Sequence, residues 1–293
     1  MELPLVSILI TSFNRANYIQ AAIESALQQT YPHFEIIIVD NCSTDGTKEI
    51  LEEYRGHEKV RIYLNDTNIG QFPNRNKAAQ LAKGKYLKYL DSDDLLYPYS
   101  LDVMVRAMEQ LPVAGLGICY EIKNGSPLSF PFELKPENSI RLHFEKGLLF
   151  PGPGSIIYKR TVFEEFNGFE DYGLPSDNFL TLKIASRYKV AALPCDLYWW
   201  RRHEMQEFNH MSENTVVQIQ YYQINKQILE AKECPVSKTE AQYFLLCHKS
   251  RLCRWVIKYL LKGEFAKGGY ILRNSDISLK DFLISLLPVR FFK

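Results

Sequence analysis

The first 90 residues alternate between short, continuously apolar runs and stretches with helical periodicity. Runs that are apolar at every position are typical of strands buried on both faces of a sheet. Strands alternating with helices form a parallel sheet covered by helices, because each crossover is right-handed and returns across the sheet. The sequence therefore predicts an α/β fold with strands over residues 5–11, 34–39, 60–64 and 86–90.

Three crossover helices are predicted between these strands. Apolar residues recur every three or four positions over residues 16–30 and 72–82, and Gly84 closes the second of these helices. Between them, Ser43, Thr44 and Asp45 are expected to supply the N-cap of a helix that reaches about residue 55.

Polar residues follow three of the predicted strands where each strand ends. Carboxyl ends of parallel strands share one edge of the sheet, where ligands of open α/β folds bind. A carboxylate can accept a hydrogen bond from a base edge, and an arginine can hold a base or a phosphate. For an isolated Asp or Arg, a turn or a solvated charge is the usual explanation, but several polar groups at one edge favour a ligand site. The polar residues are Thr11 and Arg15, then Asp40, then residues 91–94, with Arg75 on the helix before the fourth strand, and the aromatic Phe13 lies between the first two.

The acidic group after the fourth strand, Asp91, Asp93 and Asp94, places three carboxylates within four residues. Such crowding is tolerable when a Mg²⁺ or Mn²⁺ ion lies among them, because these ions take carboxylate oxygens together with substrate phosphates. The alternative is that Ser92, Asp93 and Asp94 only form a solvated turn that caps the next helix.

Composition excludes several classes. A chain of 293 residues that is 46% apolar and 24% charged is an ordinary globular protein. Six cysteines without a C-x-x-C pair, and no recognisable signal peptide, predict free thiols in a cytoplasmic protein. No apolar run approaches the roughly 20 residues that span a bilayer, so any membrane contact is expected to be peripheral.

Charge is distributed unevenly. Residues 246–293 hold ten Lys/Arg against three Asp/Glu, so this tail carries +7 and the preceding 245 residues carry −6. A basic tail indicates an anionic partner. No helix-turn-helix, RNA-recognition or zinc pattern accompanies it, so we expect no nucleic acid.

The middle of the chain is less regular. A helix is expected over 101–108 and a strand over 114–122, but residues 123–153 contain five of the fourteen prolines and predict long loops that shape an acceptor pocket. A Gly152-Pro153-Gly154 turn leads into a strand over 155–158, and helices follow over 160–166 and 177–187. Asp177 lies at the start of the last helix, where it could also serve only as a cap.

The tail is predicted to be helical over 215–231, 238–261 and from 279 onward. Two readings of the middle helix stay open: an interfacial helix on anionic lipid, or an apolar side packed on the catalytic domain with solvated lysines. The apolar ending over 282–292 favours the membrane. The helix carries the basic residues Arg251, Arg254, Lys258 and Lys262 beside Leu252, Trp255, Val256, Tyr259 and Leu260.

Taken together, these segments resemble the family 2 glycosyltransferases, which have the GT-A (nucleotide-diphospho-sugar transferase) fold. The resemblance rests on VSILITSFNR (6–15), EIIIVDNCSTDGT (35–47), the segment 65–94 that ends in YLDSDD, NGFEDYGLPSDNFLTLKIA (167–185) and WWRRH (199–203). It implies a mixed, mainly parallel α/β sheet flanked by helices, with a C-terminal helical extension. The expected domains are 1–212 (a nucleotide-binding half, 1–122, and an acceptor half, 123–212) and 213–293.

The resemblance also implies residue roles. Asp177 would be the catalytic base, with Ser176 standing where the family usually has another acid. Asp93, Asp91 and His203 would hold Mn²⁺ or Mg²⁺. Asp40 would recognise the nucleobase, and Arg75 would lie near the base or the diphosphate. The full set expected to bind the nucleotide is Thr11, Phe13, Arg15, Asp40, Arg75, Asp91 and Ser92.

The implied function is inverting transfer of a sugar from a nucleoside-diphosphate donor, with UDP as the default, to an acceptor hydroxyl. A lipid-linked glycan precursor of bacterial surface polysaccharide, at the cytoplasmic face of the membrane, is the expected acceptor, and a homo-oligomer stays open. Alternatives are a nucleotidyltransferase of the same fold, a non-catalytic carbohydrate-binding homologue and a processive synthase. The last is disfavoured because the chain has no Q-x-x-R-W element.

Overall fold

The structure is a computed structural model that describes residues 3–120, 129–150, 152–203 and 214–286. The chain divides into two compact units. The first comprises Met1–Asp171 with Ser176–Arg202, and the second comprises Tyr172–Pro175 with His203–Lys293. The predicted boundary at residue 212 falls outside the described residues and stays a prediction.

The first unit is built on a sheet that has eight strands in the described part of the chain, in the order β3-β2-β1-β4-β8-β6-β9-β7. Strands β8 and β7 run antiparallel to their neighbours and the others are parallel. A mixed, mainly parallel α/β sheet was predicted, and it is confirmed. The strands are β1 (Val6–Ser12), β2 (Phe34–Asp40), β3 (Val60–Leu64), β4 (Tyr86–Asp91), β6 (Ala114–Cys119), β7 (Phe132–Leu134), β8 (Ile156–Lys159) and β9 (Lys189–Leu193). A separate pair joins β5 (Leu95–Leu96) to β10 (Tyr198–Trp199).

Helices bury their apolar stripes against the sheet. On α1, for example, Ile19, Ala22, Ile23 and Ala26 are fully buried in the main core with the central strands. This is the burial that the spacing of apolar residues predicts. The helices of this unit are α1 (Ile19–Leu27), α2 (Thr47–Glu53), α3 (Gln71–Gln80), α4 (Ser100–Gln110), α5 (Pro136–Lys146), α6 (Arg160–Glu165) and α7 (Ser176–Arg187).

Two local predictions need correction, and one strand was not predicted. The stretch 123–153 is not all loop, because Pro136 occupies the first turn of α5, where a missing N–H costs nothing. Strand β9 (Lys189–Leu193) was not predicted at all. The N-cap of α2 is Gly46, at φ +92°, and not one of the three residues before it. Asp45 instead accepts hydrogen bonds from the backbone N–H of Ala16 and Thr47.

The second unit is helical in its described residues. It contains α8 (Thr215–Glu230), α9 (Lys238–Leu261), α10 (Phe265–Asn274), which the sequence did not predict, and α11 (Leu279–Ser285). Helix α9 begins with a capping box formed by Ser237 and Glu240. None of the described helices combines the length and the apolar character needed to cross a membrane.

The apolar side of α9 is used inside this unit. Leu252, Val256 and Tyr259 are buried in one cluster with Ile219 and Tyr222 of α8 and Ile271 of α10. The prediction that these three α9 residues form an interfacial face is therefore wrong, whereas the alternative that the apolar side packs on the catalytic domain stays a prediction. Their partners lie within the helical unit itself.

Candidate active site

Parallel pairing brings the ends of three strands to one edge of the sheet. The register places Thr11 beside Asp91 across β1 and β4, and Ser12 beside Asp40 across β1 and β2. Residues 13–15 and 92–94 continue directly from these strand ends. Residues that are far apart in sequence thus reach a common edge, as the alternation of strands and helices predicted.

Asp40 is fully buried and its carboxylate is saturated by local donors. Oδ1 accepts hydrogen bonds from the hydroxyls of Ser12 (2.9 Å) and Ser43 (2.5 Å), and Oδ2 accepts one from the Ser43 N–H (2.8 Å). In this arrangement Asp40 fixes the turn after β2. Its predicted contact with a nucleobase stays a prediction, and because Asp40 has no exposed surface, that contact would require the surrounding turn to move.

Asp91 and Arg75 form the central ion pair of the site. Arg75 lies on α3 and is buried, and its Nη2 donates to Asp91 Oδ1 at 2.7 Å. Its Nε and Nη1 meet no hydrogen-bond acceptor within the described residues. Burial opposes the charge of the guanidinium, but the attraction of Asp91 and then of Asp177 raises the pKa of Arg75. The arginine is therefore a fixed cation with two donors available to a ligand.

Asp93 is held from two sides. Its Oδ2 accepts from Arg15 Nε at 3.2 Å, and its backbone carbonyl accepts from Arg201 Nε at 2.9 Å. The backbone N–H of Arg15 in turn donates to Thr47 Oγ1 at 2.8 Å, which fixes the loop after β1. Phe13, in the same loop, is exposed. Two of the predicted nucleotide-binding residues, Phe13 and Arg15, thus lie in a loop that reaches the acidic turn.

Asp94 is the most buried of the three acidic side chains. Its Oδ1 accepts from the backbone N–H of Arg201 at 3.0 Å. Burial, followed by repulsion from Asp91, raises the pKa of Asp94 to about 8. The alternative in which Ser92, Asp93 and Asp94 cap the next helix is wrong, because α4 begins at Ser100 with Tyr99 as its N-cap.

The acidic turn fits a divalent cation that completes its shell with substrate oxygens. Within the described ranges no group of three or more His, Cys, Asp or Glu side chains is arranged to hold a metal ion by itself. Asp91 and Asp93 nevertheless offer two partly exposed carboxylates, and after burial the repulsion from Asp91 contributes to the raised pKa of Asp94 beside them. Mg²⁺ and Mn²⁺ sites that carry diphosphates use one or two carboxylates in this way.

Lys88, which sequence reasoning missed, lies beneath this turn. It is the one lysine among the described residues with no exposed surface. Its Nζ donates to the carbonyls of Gly154 and Tyr89 and lies 5.7 Å from the ring centroid of Tyr198. Burial lowers the pKa of Lys88 to about 8, against the attraction of Cys119 and Asp91. The available signal was a lysine inside an otherwise apolar strand buried on both faces.

Asp177 lies in the first turn of α7 and is half-buried. Its Oδ1 accepts from the Asn178 N–H at 2.6 Å, and a Cβ added to Gly152 would be 3.6 Å from its Oδ2. Burial raises the pKa of Asp177 to about 6, although the nearby charge of Arg75 lowers it. A carboxylate poised this close to neutrality, in contact distance of a glycine-rich turn, has the properties of a general base.

The aromatic segment after β9 forms β10, which pairs with β5 directly after the acidic turn. The guanidinium of Arg201 lies over the rings of both Tyr18 and Trp199, at 5.3 and 5.2 Å. His203 falls in the second unit, so its predicted role as a metal ligand stays a prediction.

The sheet order, the reversed strand β8 and the acidic turn at the carboxyl end of β4 define the GT-A class of glycosyltransferase fold. A family model described as "Glycosyl transferase family 2" matches residues 7–166. The chain belongs to this family.

Relatives with assigned names cover different shares of the chain. TuaG of Bacillus subtilis (strain 168), a glycosyltransferase named for teichuronic acid biosynthesis, is 38% identical over 128 residues, which are 43% of this chain and 51% of TuaG. The chain therefore spans about half the length of that relative. WfgD of Escherichia coli is 28% identical over 193 residues, 65% of this chain and 74% of WfgD. An uncharacterized glycosyltransferase of Methanocaldococcus jannaschii is 33% identical over 200 residues, 64% and 68% of the two chains.

Solved structures share the fold at low identity. TarS 1-349 of S. aureus in complex with UDP-GlcNAc has a TM-score of 0.67 at 20% identity, covering 96% of this chain and 79% of that one. The mannosyltransferase PcManGT of Pyrobaculum calidifontis, in complex with GDP-Man and Mn²⁺, has a TM-score of 0.59 at 17% identity, covering 94% and 86%. At these identities the likeness concerns the fold alone.

Proposed function

We propose that this protein is an inverting glycosyltransferase that moves a sugar from a nucleoside-diphosphate donor to an acceptor hydroxyl. The observation that carries the proposal is that the buried Arg75 pairs with Asp91 at 2.7 Å, and that its charge also acts on the pKa of Asp177. A carboxylate suited to the donor side and one suited to the acceptor side are therefore both within the influence of a single buried cation. An isolated acidic turn would not have this arrangement.

Each residue has a chemical task in this reaction. Asp177 removes the proton of the acceptor hydroxyl as that oxygen attacks the sugar carbon, from the side opposite the departing diphosphate. Nε and Nη1 of Arg75 donate to oxygens of the donor, and Arg15 balances charge near Asp93. A Mg²⁺ or Mn²⁺ ion held by Asp91 and Asp93 would stabilise the charge of the leaving diphosphate.

The donor is proposed to be UDP-linked, with GDP and dTDP as alternatives. WfgD is named as a UDP-Glc:alpha-D-GlcNAc-diphosphoundecaprenol beta-1,3-glucosyltransferase, and the TarS structure contains UDP-GlcNAc. Both support UDP, and the name of WfgD supports a lipid-linked glycan as acceptor. With such an acceptor, the enzyme would work at the cytoplasmic face of the membrane in peripheral contact with it.

The test is a panel of nucleotide sugars incubated with the full chain and Mn²⁺ or Mg²⁺. Slow, metal-dependent release of a nucleoside diphosphate from one donor is expected, and EDTA should abolish it. Asp93→Asn should raise the metal concentration needed for half-maximal release, because one metal ligand is weakened. Asp171→Asn, which changes an exposed carboxylate of the same unit, should leave that concentration unchanged. Release of pyrophosphate from a nucleoside triphosphate and a sugar phosphate would identify a nucleotidyltransferase instead. If calorimetry with Mn²⁺ present shows no binding of UDP, the remaining explanation is a non-catalytic carbohydrate-binding homologue.

A further inference from the structure

The five most exposed large hydrophobic side chains of the described structure all belong to its last 26 residues. Everywhere else in the described chain, such side chains are at most 56% exposed, the value for Val113. Soluble monomers seldom leave several fully solvated leucines together, and such patches mark interaction sites. The five are Leu261 (83%), Phe265 (68%), Leu279 (85%), Leu283 (69%) and Leu286 (71%).

These residues come from three helices that pack together. Helices α10 and α11 both pack on α9. Arg254 Nη1 donates to the carbonyl of Ser285 at 3.5 Å, so the last turn of α11 lies beside that part of α9. Leu261 is seven residues further along α9, about 10 Å at the rise of an α-helix. The end of α11 therefore lies about two turns of α9 from the corner between α9 and α10. The start of α11 lies further back along α9, because Lys249 Nζ donates to the carbonyl of Asp276 at 3.2 Å. We call these five residues, which extend along α9 from that level to the corner, the leucine surface.

Positive charge surrounds the leucine surface. Lys258 and Lys262 flank the corner, are exposed, and form no salt bridge within residues 214–286. Lys280, beside Leu279, is likewise exposed and unpaired in that range. Two acidic residues of this part of the chain are engaged elsewhere, since Asp276 pairs with Lys226 and Lys249, and Asp281 closes the capping box of α11. The third, Glu264, lies at the corner and pairs with Lys267, so it offsets one positive charge there.

We propose that the leucine surface docks on the headgroup region of an anionic lipid bilayer. Exposed apolar side chains enter the boundary of the acyl chains, while the surrounding lysines meet anionic headgroups. A second copy of this chain fits less well, because a two-fold contact through the same surface would bring like-charged lysines together. The proposal retains Lys258 and Lys262 from the face that helical periodicity indicated on α9, but not Leu252, Val256 and Tyr259, which are buried.

The experiment is co-sedimentation of the full chain with vesicles of phosphatidylcholine, with or without phosphatidylglycerol. Binding to the anionic vesicles alone is expected, and it should weaken with salt. The double variant Leu279→Gln/Leu283→Gln should lower the partition coefficient about a hundredfold or more, because two leucine side chains no longer enter the acyl boundary. Lys258→Gln/Lys262→Gln should lower it about tenfold on anionic vesicles. The matched control, Val216→Gln, changes an exposed apolar residue of the same unit and should have no effect.

Two results would overturn the proposal. One is equal binding of the wild type and the leucine variant. The other is a dimer in light scattering that the leucine variant converts to monomer, because the surface would then bind another copy. Hydrolysis of the nucleotide sugar should be the same in all these variants, so a failure of membrane binding is separate from a failure of the proposed enzymatic activity.

Discussion

Arg75 donates to Asp91 through Nη2 at 2.7 Å, while its buried Nε and Nη1 have no acceptor in the part of the chain that the structure describes. Unsatisfied buried donors are costly, so they are expected where a ligand supplies the missing acceptors. The ion pair fixes the plane of the guanidinium. Because the group is rigid, the directions of the N–H bonds on Nε and Nη1 are fixed as well.

Arg75→Lys should weaken donor binding while the fold is kept. Lysine retains the charge but cannot offer the two additional donors of a planar guanidinium. The loss of hydrogen bonds to a charged ligand should raise the Kd for UDP with Mn²⁺ about 10- to 100-fold in calorimetry. Arg106→Lys, which alters an exposed pair with Asp102, is the control and should leave the Kd unchanged. An unaltered Kd in Arg75→Lys would remove this arginine from the donor site.

Asp177→Asn should abolish transfer and spare donor binding. The amide cannot accept the acceptor proton, and a general base typically contributes about 10²–10⁴-fold in rate. The expected result is a fall of that size in kcat with a Kd for UDP within about twofold of the wild type. Asp171→Asn serves as the comparison. Transfer at a normal rate in Asp177→Asn would show that another group takes the proton.

The rate of transfer should depend on pH through Asp177. Burial raises the pKa of this carboxyl to about 6, and only its ionised form can accept a proton. Turnover should therefore be maximal above that pKa and fall as pH drops through it, approaching tenfold per pH unit. A kcat profile from pH 5 to 8 measures this, and the residual activity of Asp177→Asn should lack the inflection. A wild-type profile that is flat over this range would contradict the assignment.

Lys88→Met should slow transfer more than it weakens nucleotide binding. The lysine holds the carbonyl of Gly154, and the turn that contains Gly154 begins beside Asp177 at Gly152. Methionine fills the buried space without the hydrogen bond, so the turn is expected to shift and lower kcat about tenfold. Lys85→Met, at an exposed lysine before the same strand, is the control. A loss of folding would appear as a changed circular dichroism spectrum of Lys88→Met. In that case Lys88→Arg, which keeps the charge and a hydrogen-bond donor, should recover part of the native spectrum.

Gly84→Ala should destabilise the fold. A Cβ at this position would lie 2.6 Å from the backbone nitrogen of Ser7, which cannot move without disturbing β1. A cost of about 1–3 kcal/mol is expected for such overpacking and can be measured by urea unfolding. Gly268→Ala is the matched control, because its nearest neighbour would be 3.6 Å away and alanine favours a helix by up to about 1 kcal/mol. Equal midpoints for the two variants would refute the steric explanation.

Much of the nucleotide-binding half could be predicted because its strands are buried on both faces. Residues 60–64 were predicted as a strand and form β3 with the same bounds, and the strand before Asp91 was one residue short. The shared edge of the sheet follows from this alternation. What periodicity could not show is that Asp40 is enclosed by Ser12 and Ser43, because that depends on hydroxyl positions across two strands.

The acceptor half and the tail were harder, for different reasons. Helix α5 follows a proline-rich stretch, and prolines indicate a turn without excluding a helix that begins at one of them. In the tail, the pattern of α9 gave its bounds, Lys238–Leu261, but not the partner of its apolar side. Periodicity states that a face is buried and cannot state against what, so Leu252 and Val256 were given the wrong environment.

Strand β8 runs against β4, with Tyr86 beside Lys159 and Lys88 beside Ile157. Because the two directions meet at this seam, the chain enters β8 at the same edge where it leaves β4. The reversal therefore brings the turn before β8 to the acidic turn after β4, and a Cβ added to Gly154 would lie 3.7 Å from Asp94 Oδ2. One antiparallel strand is thus what allows two distant stretches of the chain to meet at a single edge of the sheet.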